Sequence, residues 1–177
     1  MSAGRMLRSP EKNNMKASQV RIRKVKKSDI DRIVDIERSW HHLSHWSIDS
    51  YYRLLQDDGF TSSFVAELED ESGRSHIVGF VIFHVSSSIA EIYNIAVDAK
   101  YARTGIGRQL MTTAIEESRN RRATKVVLEV RKSNLGAIRF YRAFDFQIAN
   151  ERKNYYSNPI EDAFVMEKTI GPTPIPC

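Results

Sequence analysis

Two glycines one residue apart, Gly105 and Gly107, stand where a β-branched run meets a helical one. Before them lies Ile92-Tyr93-Asn94-Ile95-Ala96-Val97, which reads as a strand. After them Ile106, Leu110, Met111, Ala114 and Ile115 recur at the spacing of one helix face. Glycines at such a junction let backbone N–H groups come close to a ligand, and the unpaired donors and positive dipole end of the helix favour an anion, most often a phosphate. Taken alone, packing or capping glycines explain the pair equally well. A second candidate is Glu129, a carboxylate inside the β-branched run 125–130, where burial raises its pKa toward neutrality and suits it to work as a base. The bland alternative is an outward-facing strand glutamate paired with a lysine. His41 and His45, four apart with His42 between them, have zinc-ligand spacing on a helix. Their segment reads as a loop with no third ligand type nearby, so no metal site is expected.

The glycine pair is neither of two familiar phosphate loops. A dinucleotide fingerprint needs a third glycine where Leu110 stands, and the string of a nucleotide P-loop is absent.

The elements that must hold these groups follow from periodicity and punctuation. Val20, Ile22 and Val25 suggest a first strand. Ser28 and Asp29 then offer caps for a helix carrying Ile30, Ile33, Val34 and Ile36. After a loop through 40–47, Ser47 caps a second helix with Tyr51, Leu54 and Leu55, which Gly59 ends. Strands are predicted over 64–68, 77–85 and 89–97, a long helix from Gly105 to about Arg121, a strand over 125–130, and a helix from Asn134 to about Ala143. Two strands near Gln147 and over 163–168 close the set. This β-α-α-β-β-β-α-β-α-β-β order is a mixed α/β layer fold.

Length and composition fit one such domain. The 177 residues are 41% hydrophobic, enough for one core, and no run approaches the ~18 apolar residues of a membrane span. The single cysteine, Cys177, excludes a disulfide framework and agrees with a reducing cytoplasm. Residues 1–18 read as a disordered basic leader, 19–170 as the folded domain and 171–177 as a frayed tail. The net charge of +5 is partly the leader's, and Arg21, Arg23, Lys24, Lys26 and Lys27 add a cluster. Weak contact with a polyanion such as ribosomal RNA is one reading of it, and a solvated strand edge is the plainer one.

Further motifs stand in order along the second half: L-E-V-R-x-S-N-x-x-A-I-x-x-Y-x-x-x-x-F from Leu128 to Phe146, then R-x-N-Y-Y from Arg152 to Tyr156, then E-D-A-x-x-M from Glu161 to Met166. Together with Gly105-x-Gly107 they closely resemble the GNAT acetyltransferases, and within them the RimI type that acetylates ribosomal-protein and other protein N-termini. The resemblance spans roughly 20–170. It implies a GNAT fold, a mixed central sheet whose strands equivalent to 92–97 and 125–130 splay apart so that acetyl-CoA enters between them. It implies that Glu129 acts as the base, through water, and Tyr141 as the acid that protonates the CoA sulfur. Phe140 beside it is expected to fill the core and leave Tyr141 to the site. Backbone groups of Ile95, Ala96 and Val97 are implied to hold the pantetheine arm, and Arg103, Thr104, Gly105, Ile106, Gly107 and Arg108 the pyrophosphate. Asn134 is implied as a cofactor contact, compatible with capping its helix. The usual Arg or Gln that opens the loop is Ala102 here. A family glycine appears as Asp145, a residue that tolerates a left-handed turn.

On the acceptor side the resemblance implies Trp46, Tyr155, Tyr156 and Glu161, with the acidic neighbourhood of Asp162 suited to a basic tail or an α-ammonium group. His45 stands where the family has proline before W-S. The function implied is acetyl transfer from acetyl-CoA to a protein N-terminus, by default a ribosomal protein's. A lysine or small-molecule amine as acceptor, or a non-catalytic CoA-binding module, are the alternatives.

Overall fold

Alternating β-branched stretches and amphipathic helices give this chain two apolar surfaces to cover, one on each face of a sheet. The computed structural model describes residues 20–40, 46–54, 59–70 and 72–171. In chain order these form β1 (Val20–Lys24), α1 (Ile30–Arg38), α2 (Ile48–Leu54), β2 (Thr61–Glu69), β3 (Ser75–Ser86), β4 (Ile89–Val97), α3 (Ile106–Asn120), β5 (Lys125–Arg131), α4 (Leu135–Arg142), β6 (Gln147–Ser157) and β7 (Ile160–Thr169). The leader, the histidine segment 41–45, Leu55 and the last six residues lie outside the described ones. No described helix is long and apolar enough to cross a membrane.

The seven strands form one sheet in the order β1-β2-β3-β4-β5-β7-β6. Only β4 and β5 run parallel; their neighbours pair antiparallel. On one face α3 presents Ile106, Leu110, Met111, Ala114 and Ile115 to Val81, Phe83, Ile92 and Leu128, with Ile138, Tyr141 and Phe146 completing the layer. On the other face Ile30, Ile33, Ile36 and Tyr51 from α1 and α2 cover Phe80 and Ile82. The helical period read from the sequence therefore marks the buried stripe of α3. Gly79 admits this packing: a Cβ there would stand 3.0 Å from both the Ala96 carbonyl oxygen and Leu110 Cδ1.

The feature that positions a site is the end of the β4–β5 ladder. Its pairs run from Ile89↔Lys125 to Ile92↔Leu128 and stop. Past that point β4 keeps its pairing with β3 as far as Val97, and β5 keeps its pairing with β7 as far as Arg131. The two strands therefore part, and the splay expected between 92–97 and 125–130 is present. A register shift on β4, where Phe83 faces Ile92 and Ile82 faces Asn94, leaves Tyr93 as the extra residue at the parting.

The basic cluster near the N-terminus is in part structural. Arg23 holds Asp29 (2.7 Å) and Glu67 (3.1 Å), while Arg21 and Lys24 line the exposed edge strand β1.

Candidate active site

The backbone beyond the parting is arranged by strand alternation. Asp98 N–H donates to Val78 O at 2.9 Å, which puts Ala96 in the β3-facing phase and turns the polar groups of Ile95 and Val97 toward the open side. Of the three expected backbone contacts, Ile95 and Val97 thus face the cleft, and Ala96 serves the β3 ladder. The Val97 carbonyl accepts from Trp40 Nε1 at 2.7 Å, leaving the N–H groups of Ile95 and Val97 as the cleft's donors on this strand.

After β4 the chain turns through a short 3-10 segment, Ala99–Tyr101, whose cap is Asp98 accepting from Lys100 N–H (2.9 Å). Arg32 also pairs with Asp98. Thr104 Oγ1 donates to Tyr101 O (2.7 Å), so its hydroxyl shapes the loop. Arg103 and Gly105 adopt φ values of +68° and +91°. Gln109 N–H donates to Gly105 O (3.1 Å), so the N–H groups of residues 106–108 come before the helical ladder begins. Ile106 is buried and offers a ligand only its backbone, whereas Arg103 and Arg108 are exposed. Gly107 lies over the Phe140 ring (3.6 Å to a built Cβ), and the Arg108 guanidinium lies over Phe144 (5.1 Å). Free donors, a 15-residue helix behind them and two exposed arginines suit a phosphate group. Ala102, half-buried, adds neither charge nor hydrogen-bonding side chain.

On β5 the even positions Val126, Leu128 and Val130 enter the α3 core, which turns Glu129 to the other face. It is the first residue past the parting. Its side chain is 9% exposed, and Oε1 lies 2.9 Å from Arg152 Nη1 on β6. Burial raises the Glu129 carboxyl above the ordinary glutamate range, Arg152 opposes that, and Glu91 on β4 adds to it.

Tyr141 lies on the opposite face of the sheet, in the α3 core. The structure reverses the expected sharing of roles on α4: Tyr141 is the buried ring, against Phe146 (6.0 Å), and Phe140 is half-exposed between Gly107 and Phe144. The reason is helical phase, since Tyr141 shares the inner face with Ile138. Burial pushes the Tyr141 phenol well up and keeps it protonated at neutral pH. Burial pushes the Tyr156 phenol well up too, and the Arg131 guanidinium over its ring opposes this. Asn134 caps α4, accepting from Ala137 N–H (3.1 Å). Asp145 takes φ +64°, the left-handed turn expected of it.

The residues expected on the acceptor side form two walls. On one, Trp46 packs at 5.8 Å from Tyr51 and 5.9 Å from Tyr93, and Tyr93 stacks on His84 (5.9 Å). The Trp46 N–H donates to Glu37 Oε2 (3.1 Å), and Asn94 Nδ2 donates to Glu37 Oε1 (2.6 Å). Glu37 is fully buried. This tie between α1, the tryptophan segment and β4 escaped sequence reading; its one signal is a glutamate beside Ile33, Val34 and Ile36 on an apolar helix.

The other wall is the β6–β7 hairpin. Its register passes from Arg152↔Ala163 to Tyr156↔Glu161, so three residues, 153–155, stand opposite Asp162 alone. Asp162 staples the excess, accepting from Asn154 N–H (2.9 Å) and Lys153 Nζ (3.1 Å). Tyr155 is exposed and meets Tyr156 edge-on at 5.1 Å. The buried Arg131 lies over the Tyr156 ring (4.1 Å) and donates to the Asn158 and Pro159 carbonyls and to Glu161 Oε2. Glu161 Oε1 accepts from Ser133 N–H (2.8 Å). Both oxygens of Glu161 are thus engaged within the protein, so its evident work is to support the tyrosine wall. The histidine pair His41 and His45 lies outside the described residues.

Comparison with known proteins follows the same outline. Residues 30–146 match the model of the Acetyltransferase (GNAT) family. The chain is 33% identical over 150 residues, 85% of its length and 95% of the other's, to a Bacillus subtilis (strain 168) protein provisionally named ribosomal protein bS18-alanine N-acetyltransferase. It is 30% identical over 152 residues, covering 78% of this chain and 86% of the relative, to an N-alpha-acetyltransferase of Sulfolobus acidocaldarius. Among solved structures, the ribosomal-protein-S18-alanine N-acetyltransferase of Escherichia coli superposes with a TM-score of 0.74 at 29% identity, covering 89% of this chain and 98% of that one.

Proposed function

The chain belongs to the GNAT acetyltransferase family, and from that premise we propose that it acetylates the α-amino group of a protein N-terminus, using acetyl-CoA as donor. The observation that carries the reading is the place of Glu129. It is a buried carboxylate at the first position past the β4–β5 parting, across the cleft from backbone donors that lead to a phosphate-suited loop. The relatives named for bS18-alanine and N-alpha acetylation support an N-terminal acceptor, with a ribosomal protein as the default. The single cysteine supports a reducing cytoplasm as the site of the reaction. The basic residues of the leader would lend weak attraction to a polyanion such as ribosomal RNA.

In this reading the loop 103–108 holds the pyrophosphate, Asn134 adds a contact, and the N–H groups of Ile95 and Val97 hold the donor's arm and acetyl oxygen. Trp46, Tyr155 and Tyr156 enclose the acceptor's first residue, with Arg131 and Glu161 fixing the second wall.

A free α-amine has a pKa of about 8, so a modest base suffices to free its lone pair. Glu129 takes one ammonium proton, directly or through water. The amine attacks the thioester carbonyl carbon, a C–N bond forms, and the carbonyl electrons move to oxygen, where a cleft N–H stabilises them. Collapse breaks the C–S bond, Tyr141 gives its proton to the sulfur, and the acylated nitrogen loses its second proton to solvent, leaving a neutral amide. Exchange with solvent returns Tyr141 and Glu129 to their starting states. Glu129 and Tyr141 lie on opposite faces of the sheet, which suits two substrates that meet in the cleft from opposite sides.

The test is to incubate the protein with acetyl-CoA and peptides that differ in their first residue, with N-terminally blocked lysine peptides as controls, and to locate the acetyl group by fragmentation. Transfer to the α-amine, lost in Glu129→Gln, is expected. Transfer to lysine alone, or acetyl-CoA binding without turnover, would overturn the reading.

A further inference from the structure

The ion pair between Arg152 and Glu129 is unequal. Glu129 is 9% exposed and sits in the cleft, whereas Arg152 is 53% exposed and reaches it with one guanidinium nitrogen from an edge strand. A buried carboxylate without a cation is costly, and an arginine that reaches out from solvent can leave at small cost. In that same position its guanidinium lies 5.4 Å from the centre of the Tyr155 ring, so the ring holds the cation alongside the carboxylate. Its neighbours are otherwise engaged: Glu151 with Lys132 and Lys153, and Lys153 with Asp162. Arg152 is also the last residue in register before the three-residue excess that Asp162 staples, so its backbone is fixed while its half-exposed side chain borders solvent.

We propose that Arg152 is the resident counter-ion of Glu129, standing in the acceptor-free protein where the acceptor's ammonium group must come and giving way to it by swinging out toward solvent from the edge strand. The inference rests on Glu129 being the base and adds a positioning residue to that reaction. The buried carboxylate then exchanges one cation for another and is never left alone.

Among the described residues, the groups facing Glu129 are few. Glu91 comes from β4, Arg152 and Tyr155 from β6 with Tyr156 beyond, and the β7 partner is the apolar Val165. Of these Arg152 alone is a cation beside the carboxylate. Without it, burial and Glu91 are opposed only by the backbone hydrogen bond that Glu129 accepts, so the protonated form of Glu129 gains and the base titrates at higher pH.

Two readouts on the intact chain test this. The Glu129 side-chain carboxyl is titrated by carbon NMR, without turnover, in the native protein, Arg152→Gln and Arg152→Lys. The midpoint is expected to rise by about one pH unit in Arg152→Gln and to return most of the way in Arg152→Lys. In kinetics with a peptide acceptor, the acid limb of kcat/KM moves up by the same interval in Arg152→Gln. Well above that limb, the acceptor KM stays equal or falls, because the competing cation is gone. An unmoved midpoint, or an acceptor KM raised roughly tenfold or more at high pH, a loss of about 1.4 kcal/mol of acceptor binding, would overturn the proposal, the latter making Arg152 part of the acceptor's binding wall. Full activity in Glu129→Gln would instead sink the assignment of the base, and the carboxyl titration would still judge the ion pair by itself.

Discussion

At the scale of single residues, two side chains on opposite faces of one sheet are asked to do opposite things by the same cause. Burial raises Glu129, with Arg152 opposing and Glu91 adding, and it raises Tyr141 too. For the carboxylate this means a stronger base; for the phenol it means a proton retained until a thiolate forms beside it. Glu129→Gln is expected to cost 10²–10⁴ in kcat/KM, roughly the range of a positioned base, with the melting temperature little changed. The sign with pH follows: activity depends on ionised Glu129, so kcat/KM falls as pH drops through a value above the ordinary glutamate range. Tyr141→Phe keeps the ring in its pocket and loses the donor, so kcat is expected to fall about 10- to 100-fold with acceptor KM unchanged. Glu37→Ala takes the acceptor from Trp46 N–H and Asn94 Nδ2 together. A loss of about 3 kcal/mol in a denaturant melt is expected, because buried donors are left unmet. Glu37→Gln keeps one acceptor oxygen but sets an amide N–H₂ against the other donor, so it is expected to recover only part of the loss.

At the scale of elements, the loop 102–108 and the β6–β7 hairpin decide whether those residues meet their substrates. The first was legible in the sequence. A β-branched run, two glycines and a 3.6-residue apolar period are local signals, and they located β4, Gly105 and the buried stripe of α3. Glu129 was legible for the same reason, as a carboxylate among the β-branched residues of a strand. The second element was legible only as a string of residue types. Whether Glu161 and Asp162 face a ligand or the protein depends on a register in which three residues oppose one, and alternation along one strand does not encode that. The same blindness hid the Arg152–Glu129 and Arg131–Tyr156 contacts and inverted Phe140 and Tyr141, whose burial follows from the partner face rather than from either ring. Gly105→Ala places a Cβ at φ +91° and is expected to cost about 1–2 kcal/mol while raising the acetyl-CoA KM. The carboxyl of Asp162 is held at about 2 by Asn154 N–H and then Lys153. A depressed carboxylate stabilises its surroundings above its unfolded value of about 3.9 and ceases to as pH falls through about 2. Amide exchange at residues 153–155 should therefore quicken across that acid window, and in Asp162→Asn it should be quick at neutral pH.

At the scale of the whole molecule, the sheet is a partition with one opening. Glu129 and the aromatic wall of Trp46 and Tyr93 lie on the α1–α2 face, and Tyr141 lies on the α3–α4 face. The β4–β5 parting joins them. Such an arrangement favours direct attack within a complex of both substrates, so incubation with acetyl-CoA alone should leave the protein's mass unchanged and initial rates should intersect. The central claim is transfer to an α-amine with Glu129 as base. It is tested most directly by offering acetyl-CoA and one alanine-initiated ribosomal-type peptide to the native chain and to Glu129→Gln, and fragmenting the product. The account predicts acetyl on the terminal nitrogen with the native chain and a rate at least a hundredfold lower in the variant, in line with the usual loss of a positioned base of about 10²-fold or more. Acetyl on a lysine side chain, or an undiminished rate in Glu129→Gln, would contradict it.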